Sequence, residues 1–225
     1  MKNKIEGEVM QALTLELEPG EQVFAESGAM VWMSNNVNME SYMRGGLSAG
    51  IGRMFTGESL FMVRYTVTSG TGVVTFAPSF PGKILKLEIA PGKEMICQKD
   101  AFLVAQESVN LETVFKKKLG VGLFGGEGFL LQKLSGKGLA FVEIDGEVFE
   151  MNLKAGEKMK IDTGSIAMFE PTIKYEVEMV KGVKNMLFGG EGLFLATLEG
   201  PGKIWLQTMP ASSLAQKIIP YIPKG

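Results

Sequence analysis

The sequence predicts an all-β protein: three pseudo-symmetric β-sandwich repeats fused into one compact body, with a short C-terminal helix. Three observations carry this expectation. Glycine supplies 29 of 225 residues. That is nearly twice the usual share, and the glycines fall between short apolar runs, as in chains of many strands joined by tight turns. An x-Gly turn, twice Pro-Gly and once Ala-Gly, recurs at matching places. A Phe-x-Gly-Glu motif also recurs three times, each time just before an apolar strand.

The repeats are expected at residues 9–76, 83–148 and 149–209, followed by a tail at 210–225. Each begins with a strand that enters a turn. The turns are Leu17-Glu18-Pro19-Gly20-Glu21, Ile89-Ala90-Pro91-Gly92-Lys93 and Leu153-Lys154-Ala155-Gly156-Glu157. Proline presets φ at the first central position and glycine supplies φ > 0 at the second, which predicts a type II turn. The third turn keeps the glycine and accepts alanine in place of proline. Seven residues beyond each turn glycine stand Ser27, Lys99 and Thr163, which lead into Met30-Val31, Phe102-Leu103 and Ile166-Ala167. Next come alternating segments at Val37, Val109 and Ile173, with the period of half-buried strands. FTGES and two copies of FGGEG follow, from Phe55, Phe124 and Phe188, and each leads into an apolar strand. A Gly-x-Gly turn then closes a hairpin. From the motif glutamate to the second turn glycine the interval is 14, 11 and 11 residues, so the first hairpin is expected to be longer. In the tail, Pro210 to Ile219 reads as helix, with Ser212 as N-cap and Pro220 as stop. No Ser- or Pro-rich linker separates the repeats.

Composition narrows the chemistry. There is no histidine, which removes Ser-His-Asp and Cys-His catalysis and His-ligated metals. One cysteine excludes an internal disulfide, a thiolate cluster and a redox pair; Cys97 reads as a small core residue. A net charge of −2 argues against phosphate-driven nucleic-acid binding. Residues 1–6 hold no apolar leader, and no run of 18 apolar residues occurs. The expected setting is cytoplasmic, peripheral to a membrane. The methionines clustered in the first repeat read as core filler, and Trp32 and Trp205 as core or rim.

LELEPGEQVFAESGAMVWMS (Leu15 to Ser34) and the two copies of LFGGEG (from Leu123 and Leu187) carry a resemblance. The chain resembles the altered inheritance of mitochondria protein 24 (mitochondrial biogenesis) family and its bacterial and archaeal relatives, from about Val9 to Met209. The resemblance implies a double-stranded β-helix-like fold related to the trp RNA-binding attenuation protein. It also implies a lack of known enzymatic activity, and it transfers no active-site residue. Mitochondrial members are associated with inner-membrane organisation; without a transit peptide here, that setting does not carry over.

Candidate functional positions lie in the basic, glycine-rich stretches before each Phe-x-Gly-Glu. They are Arg44, Gly45, Gly46, Leu47, Ile51 and Arg53 in the first, Lys116, Lys117, Lys118 and Val121 in the second, and Lys181 and Lys184 in the third. Glycine admits close backbone approach, and apolar residues beside cations suit an anionic membrane surface or a protein groove. The competing reading is that these stretches cover the open ends of the β units. Neither phosphate-loop pattern is present. Glu58, Glu127 and Glu191 would accept bonds from their own turns, or, brought together, hold a hard cation. The expected protein is a non-catalytic, homo-oligomeric β scaffold without cofactor or metal, binding a protein or a membrane surface. The alternatives are a cupin-like small-ligand binder or enzyme without a His metal site, and an RNA-binding protein, nucleic acid being the less favoured partner.

Overall fold

The computed structural model describes residues 1–43, 61–117, 129–179 and 194–222. These are almost entirely strand. β1 (Lys2–Glu6) precedes a first group of six: β2 (Ala12–Leu17), β3 (Gln22–Glu26), β4 (Met30–Met33), β5 (Val37–Met43), β6 (Phe61–Val67) and β7 (Gly72–Phe76). The next six are β8 (Gly82–Ile89), β9 (Met95–Gln98), β10 (Phe102–Gln106), β11 (Val109–Lys117), β12 (Phe129–Gly136) and β13 (Gly138–Asp145). The last six are β14 (Val148–Leu153), β15 (Lys158–Asp162), β16 (Ile166–Phe169), β17 (Lys174–Met179), β18 (Phe194–Glu199) and β19 (Gly202–Gln207). A helix, α1 (Ala211–Ile218), and a 3-10 turn at Ile219–Tyr221 follow.

The pairing order is the same in each group. First, sixth and third strands lie side by side as β2-β7-β4, β8-β13-β10 and β14-β19-β16. Second, fifth and fourth do so as β3-β6-β5, β9-β12-β11 and β15-β18-β17. Each third strand also bulges against the sixth, at Met30/Trp32, Phe102/Val104 and Ile166/Met168. A bulge adds one unpaired residue and sharpens the local twist. The half-groups join into four sheets, ordered β1-β2-β7-β4, β5-β6-β3-β10-β13-β8, β11-β12-β9-β16-β19-β14 and β15-β18-β17.

The expected turns form. Glu21, Lys93 and Glu157 donate their N–H groups to the carbonyls of Glu18, Ala90 and Lys154 at 2.9, 2.8 and 3.0 Å. Gly20, Gly92 and Gly156 have φ of 91, 78 and 76°, as a type II turn requires at its third position. The carboxylates of Glu21 and Glu157 also accept from the N–H groups of Glu18 and Lys154. The first hairpin is the longer one: residues 68–71 separate β6 from β7, while Lys137 alone separates β12 from β13.

Two compact units divide the chain. The first comprises Met1–Lys93, Phe102–Asn110 and Ser135–Glu143. Its core follows from strand alternation: in Ala-Leu-Thr-Leu-Glu-Leu of β2 the three leucines are fully buried. They pack with Val74 and Phe76 of β7, Val23 and Ala25 of β3, and Tyr65 of β6, whose ring meets Phe76 edge-on at 5.2 Å. The second unit comprises Glu94–Ala101, Leu111–Leu134 and Ile144–Gly225. Ile96, Leu131, Phe169, Ala196, Leu198 and Ile204 form its core. Phe115 and Phe169 close on the Tyr175 ring at 5.2 and 5.4 Å. Cys97 is fully buried, as a small core residue should be.

One local expectation is corrected. The N-cap of α1 is Pro210, not Ser212, and Pro210 has no side-chain acceptor to offer. The carboxylate of Asp145 replaces it, accepting from the Ala211 N–H at 2.8 Å. A cap usually comes from the residue just before the helix; here it comes from the end of β13.

Candidate functional site

The basic, glycine-rich stretches occupy one topological position. Residues 44–60 connect β5 to β6, 118–128 connect β11 to β12, and 180–193 connect β17 to β18. In each case the flanking strands are neighbours in one sheet; β5 and β6, and β17 and β18, run antiparallel, with Met43 opposite Phe61 and Met179 opposite Phe194. In those two the chain therefore leaves and re-enters the sheet at adjacent strand ends. Lys116 and Lys117 are the last two residues of β11. Arg44, Gly45, Gly46, Leu47, Ile51, Arg53, Lys118, Val121, Lys181 and Lys184 lie outside the described residues, as do Glu58, Glu127 and Glu191.

In the first unit, charge gathers where β5 and β6 meet the end of β10. Arg64 makes a forked bond to Glu107, Nη2 to Oε1 at 2.9 Å and Nε to Oε2 at 3.3 Å. Its guanidinium also lies 4.4 Å from the centre of the Tyr42 ring and 3.8 Å from Glu40. The Glu107 hydrogen bond holds the Arg64 pKa above its ordinary value, so this cation is fixed. Such a cluster is a strap between strands.

The second unit holds a small niche that sequence reasoning missed. Gln98, Asp100, Ala101, Asp145, Gln207, Pro210, Ala211 and Ser212 line a cavity of about 50 Å³. The Asp145 N–H donates to Gln207 Oε1 at 3.0 Å, and Gln207 Nε2 donates to the Gly164 carbonyl at 2.8 Å. Burial pushes the Asp145 carboxyl above its ordinary value, and Asp100 adds repulsion; the bond from Ala211 pulls the other way. A raised carboxyl in a cavity suits acid–base chemistry. The space decides against that use. It holds a water or two, while ligand pockets run to about 300–1,000 Å³. The only local signal was Asp145-Gly146 ending a strand, which reads as an ordinary turn.

Among the described residues no three His, Cys, Asp or Glu side chains gather to hold a metal. Among the same residues no helix is long and apolar enough to cross a membrane. Trp205 sits at a rim, half-buried, with its indole N–H donating to Glu150 Oε2 at 3.1 Å. Trp32, on the edge strand β4, is 56% exposed. Ile218, Ile219, Tyr221 and Ile222 form an exposed apolar run at the C-terminal helix.

A protein of Streptococcus pyogenes serotype M6, itself described as uncharacterised, is 28% identical over 217 residues, covering 93% of this chain and 86% of that one. The X-ray crystal structure of a Streptococcus pyogenes protein matches with a TM-score of 0.82 at 25% identity, covering 98% of this chain and 99% of the other. The family model described as Mitochondrial biogenesis AIM24 matches residues 3–209.

Proposed function

The chain belongs to the Mitochondrial biogenesis AIM24 family, and from that premise we propose that it is a non-catalytic β scaffold built as a triple repeat of double-stranded β-helix-like units. It would present three basic, glycine-rich segments to a protein partner or an anionic membrane surface. The observation that carries this reading is the common position of the three segments. Each joins the fourth strand of its group to the fifth, so one kind of binding element is displayed three times. Repeated weak contacts raise avidity without any single deep pocket. The missing histidine and the small Asp145 niche favour binding over chemistry.

Affinity capture from native extract, with mass spectrometry, and co-sedimentation with vesicles of anionic or neutral lipid test the reading. The expected result is a saturable protein partner or anionic-vesicle binding that falls when Arg44, Lys118 and Lys181 are changed together to glutamate. Full retention of every interaction in that variant, or an absence of any interaction in the parent, would refute it.

A further inference from the structure

Strands of neighbouring groups join by one rule. The second strand of the first group pairs with the third strand of the second, β3 with β10, as Ala25↔Val104 and Phe24↔Ala105. The second strand of the second group pairs with the third strand of the last, β9 with β16, as Cys97↔Met168 and Ile96↔Phe169. The turn glycines Gly20, Gly92 and Gly156 are offset by 72 and 64 residues. Those offsets make Val104, Met168 and Trp32 equivalent, and likewise Phe24, Ile96 and Lys160. The two junctions are therefore the same junction in the same register.

Among the described residues, two strands are left without this partner. β4 is the terminal strand of its sheet and β15 the terminal strand of its own. β4 is a third strand lacking a second, and β15 a second strand lacking a third. Burial gives the same answer. Val104 and Met168 are 0 and 1% exposed, while Trp32 is 56% exposed. Leu103 and Ala167 are 1 and 0% exposed, while Val31 is 53% exposed. At these equivalent positions the side chain is exposed only in β4, where the junction is open.

We propose that β4 of one chain pairs with β15 of a second copy, with Trp32 opposite Ile161 and Met33 opposite Lys160. It rests on the triple-repeat part of the preceding reading and adds the partner and the register. The backbone is set for it. Ser34 turns its N–H inward to the Val73 carbonyl, so the alternating Met33 N–H points out from the sheet. Glu157 turns its carbonyl inward to the Gly200 N–H, so Lys158 and Lys160 point out. The internal junction shows the same phase, with the Glu107 N–H donating to the Gln22 carbonyl at 3.1 Å. An exposed edge is a template for another chain. A head-to-tail contact of this kind propagates into a ring or a filament.

Light scattering on the full chain tests the proposal through two edge-blocking variants. Met33→Pro removes an outward N–H from β4, and Lys160→Pro removes one from β15; neither deletes a bond within its own sheet. Trp32→Lys is a second β4 block at an exposed side chain. Far-UV circular dichroism checks that each variant keeps its strands. The parent should exceed the monomer mass of 24.4 kDa, and each variant alone should fall to it. Mixing a folded β4 variant with Lys160→Pro leaves one intact edge on each, and should give a dimer and nothing larger. A monomeric parent, folded variants that stay assembled, or a mixture that stays monomeric would each overturn the edge pairing. Partner capture that persists alongside such a result would keep the scaffold reading apart from it.

Discussion

Replacing Gly20, Gly92 or Gly156 by alanine isolates backbone conformation from packing. All three have φ between 76 and 91°, and a Cβ built on any of them meets nothing within 4 Å. No clash adds to the effect. What remains is the left-handed conformation, which costs an L-residue about 1–2 kcal/mol. The gain from a stiffer unfolded chain, about 0.4–1 kcal/mol, offsets part of it. The expected net loss is about 1 kcal/mol at each site, nearly equal across the three. Urea denaturation followed by far-UV circular dichroism measures it, with unchanged slopes as the check on comparable unfolding. Asparagine tolerates this region better than alanine, so Gly20→Asn should lose less than Gly20→Ala. A loss above about 3 kcal/mol at one site, or equal effects of alanine and asparagine, would refute a purely conformational origin.

Burial pushes the Tyr65 hydroxyl up to about 12 from its ordinary 10.0. The unfolded chain then ionises first as pH rises, so stability is intact below pH 10 and is lost between there and about 12. The loss is about 2–3 kcal/mol, and Tyr65→Phe should remove that part of the alkaline decline in urea midpoints. Asp145 has the reverse standing at neutral pH: its folded value lies above 3.8, so its ionised form weighs against the fold until pH drops toward that value. Asp145→Asn keeps an acceptor for the Ala211 N–H; it should raise stability at pH 7, with the advantage over the parent shrinking as acid protonates Asp145. Gln132 is fully buried, and neither amide atom finds a partner among the described residues. Gln132→Met should therefore stabilise by about 1 kcal/mol or more, and a lower urea midpoint would contradict that.

Local chemistry was legible in the sequence and long-range pairing was not. Pro19-Gly20 and its two counterparts announce their turns because φ is set by the residues themselves. The alternation of Leu13, Leu15 and Leu17 announces a buried strand face because side chains two apart share one side of a strand. Nothing in Val23-Phe24-Ala25 says that its neighbour is Val104-Ala105, some 80 residues on. Strand pairing depends on which apolar faces meet, and many strands here could supply one. Pro210 shows the same limit at small scale. The sequence offers Ser212 as the cap of the helix start, while the acceptor comes from Asp145, distant in sequence. Glycine beside cations marks the candidate functional positions by composition alone, and of these only Lys116 and Lys117 fall on a described strand.

The first unit draws on three separate stretches, the last reaching Glu143. No single nick can release it as a fragment, because its pieces alternate along the chain with those of the other unit. The order of synthesis matters too. β3 can pair with β6 as soon as both are made, but it must wait for β10, and β10 for β13. Until residue 143 leaves the ribosome the first unit lacks its last strand. Most of the chain is therefore made before either unit can complete its sheets, and folding during translation proceeds through partly open edges.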